Sequence, residues 1–89
     1  MAVEQKYELP QIPHGYAWDI KVGDGFAVVD LRRGFDYKLV ATGGHMAFPK
    51  NETESFVAAA VVMLAKKAVI DFDRARSLTK MFGVQVKAC

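Results

Sequence analysis

A chain of 89 residues with 52% hydrophobic and 25% charged side chains suits one small domain, and this balance excludes a disordered tail, a collagen-like repeat and a disulfide scaffold. The single cysteine, Cys89, excludes an intramolecular disulfide and a cysteine metal cluster, and it fits a reducing cytoplasm. The net charge of +2 is unevenly placed: residues 1–48 carry five Lys/Arg and six Asp/Glu, and residues 49–89 carry seven and four.

Residues 1–15, with Pro10 and Pro13, read as an extended arm whose acidic and proline content is unlike a secretory leader. Tyr16, Trp18, Ile20 and Val22 alternate with Ala17, Asp19 and Lys21, the period-two pattern of a half-buried strand. Closing the next turn through Asp24-Gly25 sets Val22 opposite Ala27, Ile20 opposite Val29 and Trp18 opposite Leu31, with every large apolar side chain on one face. A hairpin follows, so the Gly-Asp-Gly at 23–25 lacks the helix that a phosphate-cradling loop requires.

A second turn through Arg32–Asp36, with Gly34 supplying a positive φ, leads into Tyr37, Leu39 and Ala41 and completes a three-stranded antiparallel meander. The expected register pairs Leu31 with Tyr37 and Val29 with Leu39 on the inner face, and Asp30 with Lys38 and Arg32 with Asp36 outside. Gly43-Gly44 is expected to end the sheet, leaving His45–Lys50 as a loop or a short extra strand.

Asn51 and Glu54 suggest a capped start to a helix at 52–70, whose apolar residues run nearly all the way round. Phe56, Val57, Ala60, Val61 and Leu64 form one stripe, while Ala58, Val62 and Val69 lie behind it. Residues 72–82, capped by Asp73 and stopped by Gly83, predict a shorter C-terminal helix, and Val84–Val86 offers a short edge strand. A second parse makes Ala68–Phe72 a strand. The fold class expected is therefore α+β: a β-meander packed against one long buried helix and a shorter C-terminal one.

No residue pattern specifies a catalytic site, a cofactor or a metal. Asp19 and Asp30 face each other across the first hairpin, but basic neighbours turn them into ordinary cross-strand ion pairs. His14 and His45 are isolated, and Ser55, Ser77 and Cys89 lack an oriented base. The longest apolar run, residues 56–65, is ten residues against the roughly 20 that span a bilayer.

The resulting expectation is a non-enzymatic, cytoplasmic protein-binding module that modulates or inhibits a partner. Short chains of this class often serve phages or mobile elements as accessory factors. The expected contact surface is the outer sheet face and its tip, with Val28 and Val40 ringed by Arg32, Arg33, Phe35 and Lys38. The alternative partner is nucleic acid, held by the Arg/Lys-rich C-terminal helix or by the Arg32-Arg33 sheet tip. From Arg74 onward, Arg74, Arg76, Lys80 and Lys87 stand without an acidic side chain. Residues 71–84 also look like the first helix and turn of a helix-turn-helix, with too few residues beyond for a recognition helix. Ala58, Val62 and Val69 are the expected homodimer interface, unless the arm covers them through Leu9 and Ile12.

Overall fold

The computed structural model describes residues 7–87. Strands β1 (Tyr16–Gly23), β2 (Phe26–Arg33) and β3 (Leu39–Ala47) form one antiparallel sheet in the order β1-β2-β3, and helix α1 (Glu54–Phe82) follows. The first hairpin has the expected register, with Trp18 opposite Leu31, Ile20 opposite Val29 and Val22 opposite Ala27. The two-residue turn places these apolar side chains on the face that receives α1.

The second hairpin departs from expectation. Leu31 pairs with Ala41, not Tyr37, and Asp30 with Thr42, not Lys38, because Val40 and Gly43 are each skipped in the ladder as bulges. The turn is also longer than expected: the Arg33 amide donates to the Lys38 carbonyl at 2.9 Å and the Tyr37 amide to the Arg33 carbonyl at 2.8 Å. Tyr37, not Gly34, takes the positive φ, 58°, so Tyr37 leaves the sheet and is exposed rather than part of the core.

Gly43-Gly44 does not end the sheet, since β3 runs on through His45 to Ala47. A Cβ at Gly43 would collide with the backbone carbonyl of Leu64. Glycine is needed there because the helix crosses the strand at backbone contact. The underside of α1 is correspondingly small, with Ala60, Ala65, Ala68 and Ala75 buried beside Leu64 and Phe72.

The two helices expected are one. Ala68, Phe72 and Ala75 continue the buried stripe of Ala60 and Leu64 at helical spacing, so nothing breaks at 70–73 and the strand parse of 68–72 is excluded with it. Thr53 is the N-cap, its Oγ1 accepting from the Phe56 amide at 3.2 Å, and Gly83 in the left-handed region closes the other end. Asp73 caps nothing and lies mid-helix. Val84–Val86 forms no edge strand. No helix among the described residues is long and apolar enough to cross a membrane.

Two buried clusters hold the layers together. Ala27, Val29, Leu64 and Ala65 form one, Leu31, Ala41 and Phe72 the other, and Trp18 packs against both. Helix α1 lies chiefly over β3 and β2, leaving Ile20 and Val22 of β1 37% and 54% exposed. The arm partly fills this gap: Ile12 packs on the second cluster, and Tyr7 and Leu9 line a groove of about 470 Å³ with Ile20, Val22, Ala58 and Val62.

Candidate functional site, a basic basin at one end of the sheet

The outer sheet face is internally neutralised. Asp19 and Asp30 are register partners, and Arg32 sits between them, its Nε 2.7 Å from Asp19 Oδ2 and its Nη2 3.8 Å from Asp30 Oδ2. Thr42 Oγ1 donates to Asp30 Oδ1 at 2.6 Å, the place expected for Lys38, and accepts from the Gly44 amide at 2.9 Å. Arg32 also donates to the Tyr37 carbonyl at 3.1 Å and lies 5.1 Å from the Tyr37 ring centroid. The hydrogen bond to Asp19 is the main cause that holds the guanidinium above its ordinary pKa. Arg32 is thus a bolt across the sheet rather than a free contact residue.

At the tip, Arg33 closes a fork on Asp36, with Nη2 2.7 Å from Oδ2 and Nε 3.1 Å from Oδ1, and the Lys38 amide donates to the same carboxylate at 3.2 Å. The Arg33 fork is the main cause that lowers the Asp36 carboxyl to about 2. Phe35 is 83% exposed beneath Arg33, 4.8 Å from guanidinium to ring centroid. Val28 remains on the outer face, half-buried between its register partners Lys21 and His45. Val40 does not join it. Its bulge turns it toward Leu31, Ala41 and Phe72, on the helix side.

The larger concavity lies on that helix side. A basin of about 850 Å³ opens where the ends of the strands meet the last turns of α1. Its floor is apolar, made by Tyr16, Leu39, Val40, Phe72 and Ala75, with Tyr16 set edge-on against Phe72 at 4.9 Å between centroids. Its rim carries Arg33, Lys38, Arg76, Lys80 and Lys87, and no acidic side chain lines it among the described residues. Arg76 lies over the Phe72 ring at 5.5 Å. Lys38, Lys80 and Lys87 have no carboxylate partner among the described residues.

One hydroxyl builds the far wall. Thr79 Oγ1 donates to the Ala75 carbonyl at 2.8 Å and accepts from the Val86 amide at 2.9 Å. This bond turns the chain back after the Gly83 cap and brings Lys87 to the rim. No spacing rule links residue 79 to residue 86, which is why the sequence does not reveal the staple. Tyr16 was legible as a residue of the half-buried first strand, but its meeting with Phe72 in one floor was not.

The structure thus joins residues from the two surfaces expected to be separate. Arg33 and Lys38 come from the sheet tip, and Arg76, Lys80 and Lys87 from the basic C-terminal stretch. Arg74 is exposed elsewhere on α1, and Arg32, Phe35 and Val28 do not line the basin. Of the expected dimer residues, Ala58 and Val62 line the arm groove, and Val69 is half-buried outside it. His14 and His45 are exposed, and no group of three metal-ligating side chains occurs among the described residues. Cys89 lies outside them. No family model, curated protein or solved structure matches the chain.

Proposed function

We propose that this chain is a non-enzymatic, cytoplasmic protein-binding module that docks on a partner protein and modulates it, with the basic basin as its docking surface. The observation that carries this reading is the pairing of an apolar floor with a rim of five cations, of which only Arg33 has a carboxylate partner among the described residues. Such a surface is complementary to an acidic segment that also presents a large apolar side chain. The apolar group displaces water from Tyr16, Val40 and Phe72, and the rim cations steer and orient the acidic flanks.

Nucleic acid is the rival ligand for the same cations. Phosphate would use the rim and leave the apolar floor unused, and the most exposed aromatic ring at the sheet tip, Phe35, lies outside the basin under Arg33. The floor therefore favours protein.

The test titrates three probes of equal charge into the protein and follows them by NMR: a Glu-rich peptide with Phe and Leu, a Glu/Ser peptide, and a single-stranded oligothymidylate. The apolar-bearing peptide is expected to bind roughly tenfold or more tightly than the Glu/Ser peptide, with shifts at Tyr16, Phe72 and Val86. Lys80→Glu with Lys87→Glu should abolish it. Preferential binding of the oligonucleotide overturns the reading in favour of nucleic acid, and no peptide preference overturns the role of the floor.

A further inference from the structure

Strand β1 borders the sheet, and its backbone edge is open. The order β1-β2-β3 leaves β1 paired with β2 alone, and it runs from Tyr16 to Gly23 without a proline or a bulge. The two-residue turn closes on the Gly23–Phe26 pair. In an antiparallel ladder the alternate residues 17, 19, 21 and 23 then bond to β2, and the amides and carbonyls of Trp18, Ile20 and Val22 point away from it. No backbone hydrogen bond reaches these groups from the arm or from α1 among the described residues. The opposite border is blunted, since β3 carries bulges at Val40 and Gly43 and lies under α1. Side chains repeat the contrast: Ile20, Lys21 and Val22 are all exposed, on both faces of β1.

We propose that β1 pairs antiparallel with β1 of a second copy about a twofold axis at Ile20, joining two three-stranded sheets into one. An axis perpendicular to the sheet keeps both helices on the same side, so only registers that pair like faces are allowed. Two of these align most of the strand, and charge chooses between them. Centring on Asp19 sets carboxylate against carboxylate. Centring on Ile20 sets Asp19 against the partner's Lys21, twice over, while Trp18 meets the partner's Val22 and Ile20 meets the partner's Ile20 on the helix side. Arg32 holds only Oδ2 of Asp19, and Lys21 has no carboxylate partner among the described residues. The remaining outer pair, Ala17 against the partner's Gly23, carries no charge. On the helix side Glu52 and Glu54 follow Phe48, which bonds Gly25 at the turn end of β1, so the reversal sets them at the opposite end of the seam from the partner's glutamates. A second copy thus matches the edge in backbone, bulk and charge together. The basin stays open, because Tyr16, its one residue from β1, lies outside the joined stretch 17–23.

Sedimentation equilibrium of the full chain at high micromolar concentration tests the seam, and amide hydrogen exchange locates it. Wild type is expected to dimerise, with the amides of Trp18, Ile20 and Val22 exchanging roughly tenfold more slowly at high than at low protein concentration. Ile20→Pro removes an amide that makes no bond within one copy, so the chain should fold while association weakens by roughly a hundredfold. Lys21→Glu should weaken association roughly tenfold, and Lys21→Arg should leave it near wild type. Lys21 is exposed, so far-ultraviolet circular dichroism should match wild type in both; were Ile20→Pro not to fold, Lys21→Glu and the exchange pattern decide without it. A monomeric wild type overturns the proposal. So does protection that arises on β3 or α1 instead of β1, a dimer that a folded Ile20→Pro leaves intact, or a dimer indifferent to Lys21→Glu.

Discussion

Gly43 determines how close the two layers come, because the Leu64 carbonyl occupies the space of its missing side chain. Gly43→Ala must push helix from strand, and the expected cost is about 2–3 kcal/mol in urea denaturation. The tip responds to pH instead. Arg33 lowers the Asp36 carboxyl from 3.8 to about 2, so the clamp's stabilisation is fully present above the unfolded value and is lost as pH falls through the folded one. A side-chain carboxyl NMR titration should place the Asp36 midpoint near 2 and raise it toward the ordinary range in Arg33→Ala, where the Lys38 amide and ammonium still lower it.

At the scale of the element, the end of a helix and its middle should respond oppositely to the loss of a capping-type side chain. Thr53→Ala removes the bond to the Phe56 amide and should cost about 1 kcal/mol. Asp73→Ala, measured at dilute concentration, should cost nothing, because Asp73 lies inside α1 and alanine is the better helix former. Equal losses at both sites would mean that the helix divides near residue 72. The contrast also explains what was legible. The first hairpin could be read because alternation and the Asp24-Gly25 turn fixed one register between them. The second could not: Val40 and Gly43 each add a residue to β3, and a bulge leaves the period-two pattern almost intact while shifting every partner beyond it. Asp73 misled because aspartate resembles a cap wherever it follows an apolar residue, whereas the i, i+4, i+7 run of Ala68, Phe72 and Ala75 carried the continuous helix. The basin was legible only in halves, since Arg33 and Lys38 are brought to Arg76, Lys80 and Lys87 by packing between distant elements.

At the scale of the whole molecule, charge is sorted by surface. The carboxylates of the outer sheet face are bound to Arg32, while four of the rim cations, Lys38, Arg76, Lys80 and Lys87, have no such partner among the described residues. Raising salt should therefore weaken acidic-peptide binding at the basin while leaving global stability nearly unchanged. The measurement is a peptide titration and a urea melt, each at low and high sodium chloride. A melt that shifts in step with the peptide affinity would show that the rim cations are structural.

The small underside of α1 has a mechanical consequence. Alanines at 60, 65, 68 and 75 let the helix lie close to the sheet, but a smooth surface resists sliding poorly, since no large side chain interlocks. Axial position then rests on two pins, Leu64 over Gly43 and Phe72 between Tyr16 and the Leu31–Ala41 pair. Replacing Phe72 with alanine should cost about 3–5 kcal/mol. Replacing it with leucine should cost less but loosen the pin, so that the helix rides along its own axis and carries Arg76, Thr79 and Lys80 past Lys38. The shape of the basin is thereby geared to the fit of one ring, and slippage at Phe72 would detune the docking surface before it unfolded the chain.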